Sequence, residues 1–316
     1  MSNLLPSIAP EECSGAATLT AGLEALPQRE AQIGSLDVHR VLPVRGRRLI
    51  GPWCFFDHYG PLAFASEKPL DVGPHPHIGL QTVSWLIEGE IVHNDSLGSE
   101  CLVGARQLSL MTAGRGIAHA EETPTSNSGR LNGVQLWLAL PNSIRAALPE
   151  YQCTKELPVL EETGGLVTVI AGEWAGRRSP GRVFSPTIAA DVTVHSRARL
   201  HLPLRPGFEH GLMLISGSAS IEGLPLDLHT LYYVGAQGGE LTIWSDEGAR
   251  LMLIGGAPFG ETIVMWWNFV ARTHEEIAEA RRAWESHEVF GDVPRYRGPR
   301  LPAPPMFGRP IPARPQ

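Results

Sequence analysis

No run of 18 apolar residues occurs in the 316-residue chain, so the sequence offers no membrane-spanning helix. The first residues, MSNLLPSIAPEEC, lack the basic start and apolar stretch of a secretory signal. These two absences predict a cytoplasmic protein with no membrane partner. Cysteine is scarce: Cys13, Cys54, Cys101 and Cys153 lie far apart and form no C-x-x-C pair. That excludes a zinc ribbon and predicts free thiols in a reducing compartment. Basic residues are outnumbered, 26 against 33 acidic, and the net charge of −7 repels a phosphate backbone. No direct nucleic-acid partner is expected.

What the chain does have is apolar content, 43%, together with 34 glycines and 27 prolines spread between short alternating runs. That distribution predicts an all-β chain of many short strands and tight turns, long enough to bury a stable core. Residues 1–34 mix Pro, Gly, Ser and Ala without a period and read as a mobile or surface-draped extension. A first set of strands fills 35–150. In it, TVSWLIEGEIVHND reads as a hairpin turning at Glu88-Gly89, with Val83, Trp85 and Ile87 on one face. A second set of like spacing fills 151–290, which suggests a pseudo-duplicated pair of barrels. Thr273 and Glu276 form a capping box ahead of a helix over 274–286, whose Ile277, Ala280 and Trp284 would pack on a barrel. Residues 291–316 are rich in proline and arginine and read as an extended tail with few residues able to join a core. Metal binding is therefore expected to survive truncation after Gly291.

Two short stretches carry chemistry: Pro74-His75-Pro76-His77 and Ile117-Ala118-His119-Ala120-Glu121. Side chains at i and i+2 of a strand share a face, so His75 with His77, and His119 with Glu121, form two pairs on inward faces. An unpaired interior carboxylate is costly, and a metal is the partner that answers it. Three imidazoles and one carboxylate suit Fe(II), Mn(II), Ni(II), Cu(II) or Zn(II), with positions left open for substrate. The candidate strands of the second half contain lone His195, His201, His210 and His229 but no H-x-H and no H-x-E, which predicts one ion per chain, in the first barrel.

The stretches DVGPHPHIGLQTVSWLIEGEIVHNDSLGSE, LMTAGRGIAHAEETP and LNGVQLWLALP resemble the pirin family of the cupin superfamily, as do FFDHYGP, VFSPT and LIGGAPFGETIVMWWNFV. The resemblance runs in order from about Leu36 to Val289. It implies two consecutive cupin (jelly-roll) β-barrels, only the first holding metal, with His75, His77, His119 and Glu121 binding one iron. General cupins often take a carboxylate from the first motif; Gln81 stands there. Its parity with His75 and His77 makes it a candidate hydrogen-bond partner for a ligand or substrate. Within FFDHYGP, Asp57 and His58 suggest structural roles at a strand end.

Two functions follow from the resemblance. One is a quercetin 2,3-dioxygenase-like enzyme: the deprotonated 3-hydroxyl of a flavonol coordinates the metal, dioxygen adds across the central ring and carbon monoxide leaves. Glu121 is then also the candidate catalytic base. The other is an iron-binding regulatory protein that acts on transcription or on a metabolic enzyme through protein contact. The acidic charge favours a protein partner over DNA. An open metal site favours the enzyme.

Overall fold

The computed structural model describes residues 11–13, 23–34, 36–65, 68–236 and 238–306. The chain forms two consecutive jelly-roll barrels, as expected. The first contains β1 (Arg29–Ile33), β2 (Leu36–Leu42), β3 (Trp53–Ala63), β4 (Asp71–His77), β5 (Leu80–Glu88), β6 (Glu90–Asp95), β7 (Glu100–Gly104), β8 (Leu108–Thr112), β9 (Ile117–Glu122), β10 (Arg130–Ala139) and β11 (Glu150–Thr154). They make a seven-stranded sheet, β11-β8-β5-β10-β3-β2-β1, facing a four-stranded sheet, β4-β9-β6-β7. The second barrel has the same plan, a large sheet centred on Thr187–Val194, Ala249–Gly256 and Glu209–Gly217 and a small one around Ala198–Leu204 and Gly239–Ser245.

Strand alternation decides where each barrel is buried. On β5, Val83 and Trp85 point away from the first barrel's interior and meet Ile170, Ala189, Met213, Met252 and Ile254 of the second barrel. The two large sheets thus pack face to face, which explains strands apolar on both sides. Two indole nitrogens buried at that seam are paired. Trp85 Nε1 donates to Asp191 Oδ2 at 2.9 Å, and Trp53 Nε1 lies 3.0 Å from the carbonyls of both Ile188 and Gly255. On β3, Asp57 accepts two hydrogen bonds from Arg40, at 2.8 and 2.6 Å, a bidentate pair wholly inside the protein.

Four expectations need correction. The stretch around Glu88-Gly89 is a corner and not a hairpin: β5 stays in the large sheet while β6 pairs with β9 and β7 in the small one. Gly89 has φ +92°, and a Cβ there would sit 2.1 Å from the Arg130 carbonyl, so the chain changes sheets where only glycine fits. Parts of 1–34 are woven into the sheets. Glu24–Leu26 pairs with Leu231–Tyr233 of the second barrel, Arg29–Ile33 pairs with Leu36–Arg40 of the first, and Leu26 and Ile33 are buried.

The third correction concerns cysteine. Cys101 and Cys153 form a disulfide, while Cys54 stays outside it, buried, with its thiol donating to the Trp137 carbonyl at 3.6 Å. Cys101 lies on β7 and Cys153 on β11, the edge strands of the two facing sheets, so a separation of 52 residues is closed by barrel formation. Linear spacing held no sign of that. The fourth is the tail. Residues 292–306 run irregularly over the first barrel, with Val293 and Ala303 buried. Leu301 N donates to the Pro74 carbonyl at 2.8 Å, and Tyr296 Oη donates to Asp71 Oδ1 at 2.7 Å. The tail therefore docks on β4, the strand that carries His75 and His77. Residues 307–316 lie outside the described residues.

The helix forms as expected over α1 (His274–Glu285), with Thr273 Oγ1 accepting from Glu276 N at 3.2 Å. Its Ile277, Ala280 and Trp284 pack with Val264, Phe269 and Phe290 on Ala118 and Ala120, the outer face of β9. The helix thus follows the second barrel in sequence and covers the first in space. Thr273→Ala removes one capping acceptor, and about 1 kcal/mol of stability should go with it. Denaturant unfolding checks this; an unchanged midpoint would mean that tertiary packing alone holds the helix start.

Candidate metal centre

His75 and His77 project from β4, an edge strand of the small sheet, where the missing N–H groups of Pro74 and Pro76 cost no ladder bonds. His119 stands opposite His75 on β9. Between His119 and Glu121 the register shifts, with Glu121 opposite Val72, so β4 carries one extra residue at Gly73-Pro74. The bulge has a use: His75 Nδ1 donates to the Gly73 carbonyl at 2.9 Å. His77 Nδ1 donates to the Asn268 carbonyl at 3.0 Å, contributed by the segment ahead of α1. Both imidazoles are fixed in the tautomer that leaves Nε2 as a lone pair.

Those lone pairs converge. One ligand atom from each of His75, His77 and His119 lies within 4.8 Å of the other two, and all three residues are buried. His77 Nε2 is 3.1 Å from His119 Nε2, and His75 Nε2 is buried with no hydrogen-bond partner. Two bare imidazole nitrogens at that distance repel unless a proton or a cation lies between them. Burial drives the pKa of His75 down to about 3 and those of His77 and His119 well below the ordinary imidazole range, and mutual repulsion adds to it. Near pH 7 the three rings are neutral donors.

Glu121 groups with His119 and His93, again within 4.8 Å, and not with all three histidines. Its Oε1 lies 3.1 Å from Ser84 Oγ, whose hydroxyl also contacts Gln135 Oε1 at 2.7 Å. Its Oε2 is buried without a partner. An orphaned carboxylate oxygen and an orphaned imidazole nitrogen, in two buried groups that share His119, are what a divalent cation would satisfy. The residues fit a metal.

Two corrections to the expected site follow. Gln81 does not face the histidines: it shares the Val83 and Trp85 side of β5, and its amide donates to Thr112 Oγ1 and to the Arg182 carbonyl, both at 2.9 Å. Parity does not carry from His77 to Gln81, because the chain turns at Gly79, φ +67°, between the two strands. Ser84, one step off Gln81's parity, occupies the inward position. His93 and Asp95 belong to the site although only the strand bearing them was foreseen. His119 Nδ1 and His93 Nδ1 are 3.4 Å apart, and His93 Nε2 is 3.2 Å from Asp95 Oδ2. Burial pushes the Asp95 carboxyl up, but hydrogen bonds from His93 and Ser99 together hold it below the ordinary range. A chain His119–His93–Asp95 thus backs the one imidazole that has no carbonyl partner, and Tyr151 stacks flat on His93 at 3.9 Å. The H-x-D spacing at 93–95 was the available signal. Of the C-terminal histidines, His195 and His201 are exposed, His210 is buried, and His229 lies against His39 and His58.

The Pirin family model matches residues 35–138, and the Pirin C-terminal cupin domain model matches residues 189–290. The chain belongs to the pirin family. Its two barrels are accordingly cupin domains, and α1 falls within the C-terminal match although it packs on the N-terminal cupin. Among pirin-like relatives, a Pseudomonas aeruginosa protein named as a candidate quercetin 2,3-dioxygenase is 44% identical over 286 residues, covering 90% of each chain. A pirin-like protein of Caulobacter vibrioides is 35% identical over 265 residues, 82% of this chain and 91% of its own. The crystal structure of a quercetin 2,3-dioxygenase from Acinetobacter baumannii superposes with a TM-score of 0.87 at 42% identity, covering 91% of this chain and 96% of that one.

Proposed function

We propose that this pirin-family chain is a metal-dependent dioxygenase that opens the ring of a flavonol or a similar enol or enediol. His75, His77, His119 and Glu121 would hold one divalent ion, Fe(II), in the N-terminal cupin, which with a single carboxylate keeps a net charge of about +1. The observation that carries the reading is the pair of buried, partnerless atoms, His75 Nε2 and Glu121 Oε2, beside imidazoles held neutral. The names of the similar Pseudomonas and Acinetobacter proteins support the substrate class. When bound, the ion supplies Lewis-acid binding of an anionic enolate and the redox partner for dioxygen. The protein's own groups do the rest. Backbone carbonyls of Gly73 and Asn268 orient two imidazoles, the His93–Asp95 pair backs the third, and Glu121 takes the hydroxyl proton of the substrate.

The test is to purify the protein without oxygen, load it with Fe(II), and follow oxygen uptake with quercetin and smaller enediols. Uptake with carbon monoxide release is the expected result. Full metal occupancy with no turnover on any of them would sink the enzymatic reading.

A further inference from the structure

A second histidine cluster lies outside the cupin pocket. His39 on β2 and His58 on β3 are cross-strand partners in the N-terminal sheet, and His229 reaches them from the loop before Leu231–Gly235 of the C-terminal cupin. One ring nitrogen from each lies within 4.8 Å of the other two. The His39 and His229 rings stack at 3.8 Å, and the His58 and His229 centroids are 4.9 Å apart. His58 is fully buried, while His39 and His229 are half-buried at the rim of the seam between the two large sheets.

The hydrogen bonding of this cluster is that of a ligand set. His58 Nε2 donates to Asn132 Oδ1 at 2.9 Å, which places the ring hydrogen there and leaves Nδ1 as the free lone pair. That Nδ1 is buried with no partner, and so is His39 Nδ1. A core made only for packing would put apolar side chains here, since two orphaned ring nitrogens cost free energy with no return. His229 has φ +59°, a backbone conformation unusual for a residue with a Cβ, and its ring lies against the other two.

We infer that His39, His58 and His229 form a second metal site that clamps the two cupins together, taking a borderline ion such as Zn(II), Ni(II) or Cu(II). Three neutral imidazoles suit that class, and the half-buried side leaves a fourth position for water. A tetrahedral zinc with bonds of about 2.1 Å holds its nitrogens roughly 3.4 Å apart, and because lone pairs lie in the ring planes, the stacked His39 and His229 rings must turn about their side-chain bonds as well as close on the ion. No carboxylate belongs to the cluster, which separates it from the Fe(II) pocket proposed above and makes the two independent.

The test uses the metal-free full-length chain titrated with zinc against a chromophoric chelator. Parent, His229→Asn and His39→Gln are compared, asparagine being chosen because it tolerates a positive φ. Each variant should take up one zinc fewer than the parent, and zinc should raise the parent's melting temperature by several degrees more than either variant's. The cupin ligands are untouched in both variants and serve as the internal reference. Equal uptake by parent and variants overturns the inference. If His229→Asn does not fold, the His39→Gln comparison decides alone.

Discussion

A chain ended after Gly291 should melt about 10 °C below the full-length protein and lose affinity for metal. The segment removed contributes buried Val293 and Ala303 and the half-buried Leu301 and Tyr296. Burying a Val or Leu side chain is worth about 1.5–3 kcal/mol, so roughly 4 kcal/mol is at stake, equivalent to about 10 °C in a protein of this size. Polar contacts go as well. Trp284 Nε1 loses the Leu301 carbonyl at 2.8 Å, and Arg300 no longer lies over the Trp284 ring at 3.4 Å. The damage reaches β4 because Leu301 and Tyr296 bind it, and because a Cβ on Gly73 would sit 2.6 Å from the Pro299 carbonyl, so strand and tail are in close contact at the bulge that orients His75. Calorimetry with a metal titration measures both effects. An unchanged melting point and unchanged affinity would show that the docked tail is incidental.

Glu121→Gln should weaken metal binding at least roughly 100-fold, since loss of an outer partner alone costs 10–100-fold and this change removes the anionic donor itself. The substitution preserves shape but replaces one carboxylate oxygen by an amide donor. Pointed where Oε2 now stands, that donor would face the cation. Stability in the absence of metal should hold or rise, because a buried carboxylate with one unsatisfied oxygen is removed. Gln81→Glu in the same background should not restore affinity, because Gln81 faces the C-terminal cupin. Equilibrium competition with a metal chelator measures these affinities. If Glu121→Gln binds iron as tightly as the parent, the centre is made by histidines alone.

Those two expectations differ in how far the sequence foreshadowed them. His75 with His77, and His119 with Glu121, were legible because each pair lies within one strand, where parity is a local property. The capping box of α1 was legible for the same reason, all its atoms lying within four residues. Gln81 was misplaced because parity was carried across the turn at Gly79. The Gly89 corner looked like a hairpin because both put glycine at a positive φ between apolar runs, and only the pairing of β6 with β9 tells them apart. The remaining features depend on long-range contact. The Cys101–Cys153 bridge joins two sheet edges, His229 meets His39 and His58 across the seam between cupins, and the tail finds β4 after more than 200 residues. Composition marked that tail as unable to build a core, and it builds none; it fills a groove already formed by Trp284 and Phe290.

The bond from His77 to the Asn268 carbonyl spans 191 positions of the chain. During synthesis at about 5–20 residues per second, His77 therefore waits roughly 10–40 s before the group that sets its tautomer exists. Until then the imidazole is free to present either nitrogen. If the proposed ion binds there, its capture is thereby deferred until Asn268 has been made, and a polypeptide stopped before that residue holds at most a loose histidine cluster. In a cell, loading of the proposed ion would report whether synthesis had passed Asn268 as much as the supply of the ion.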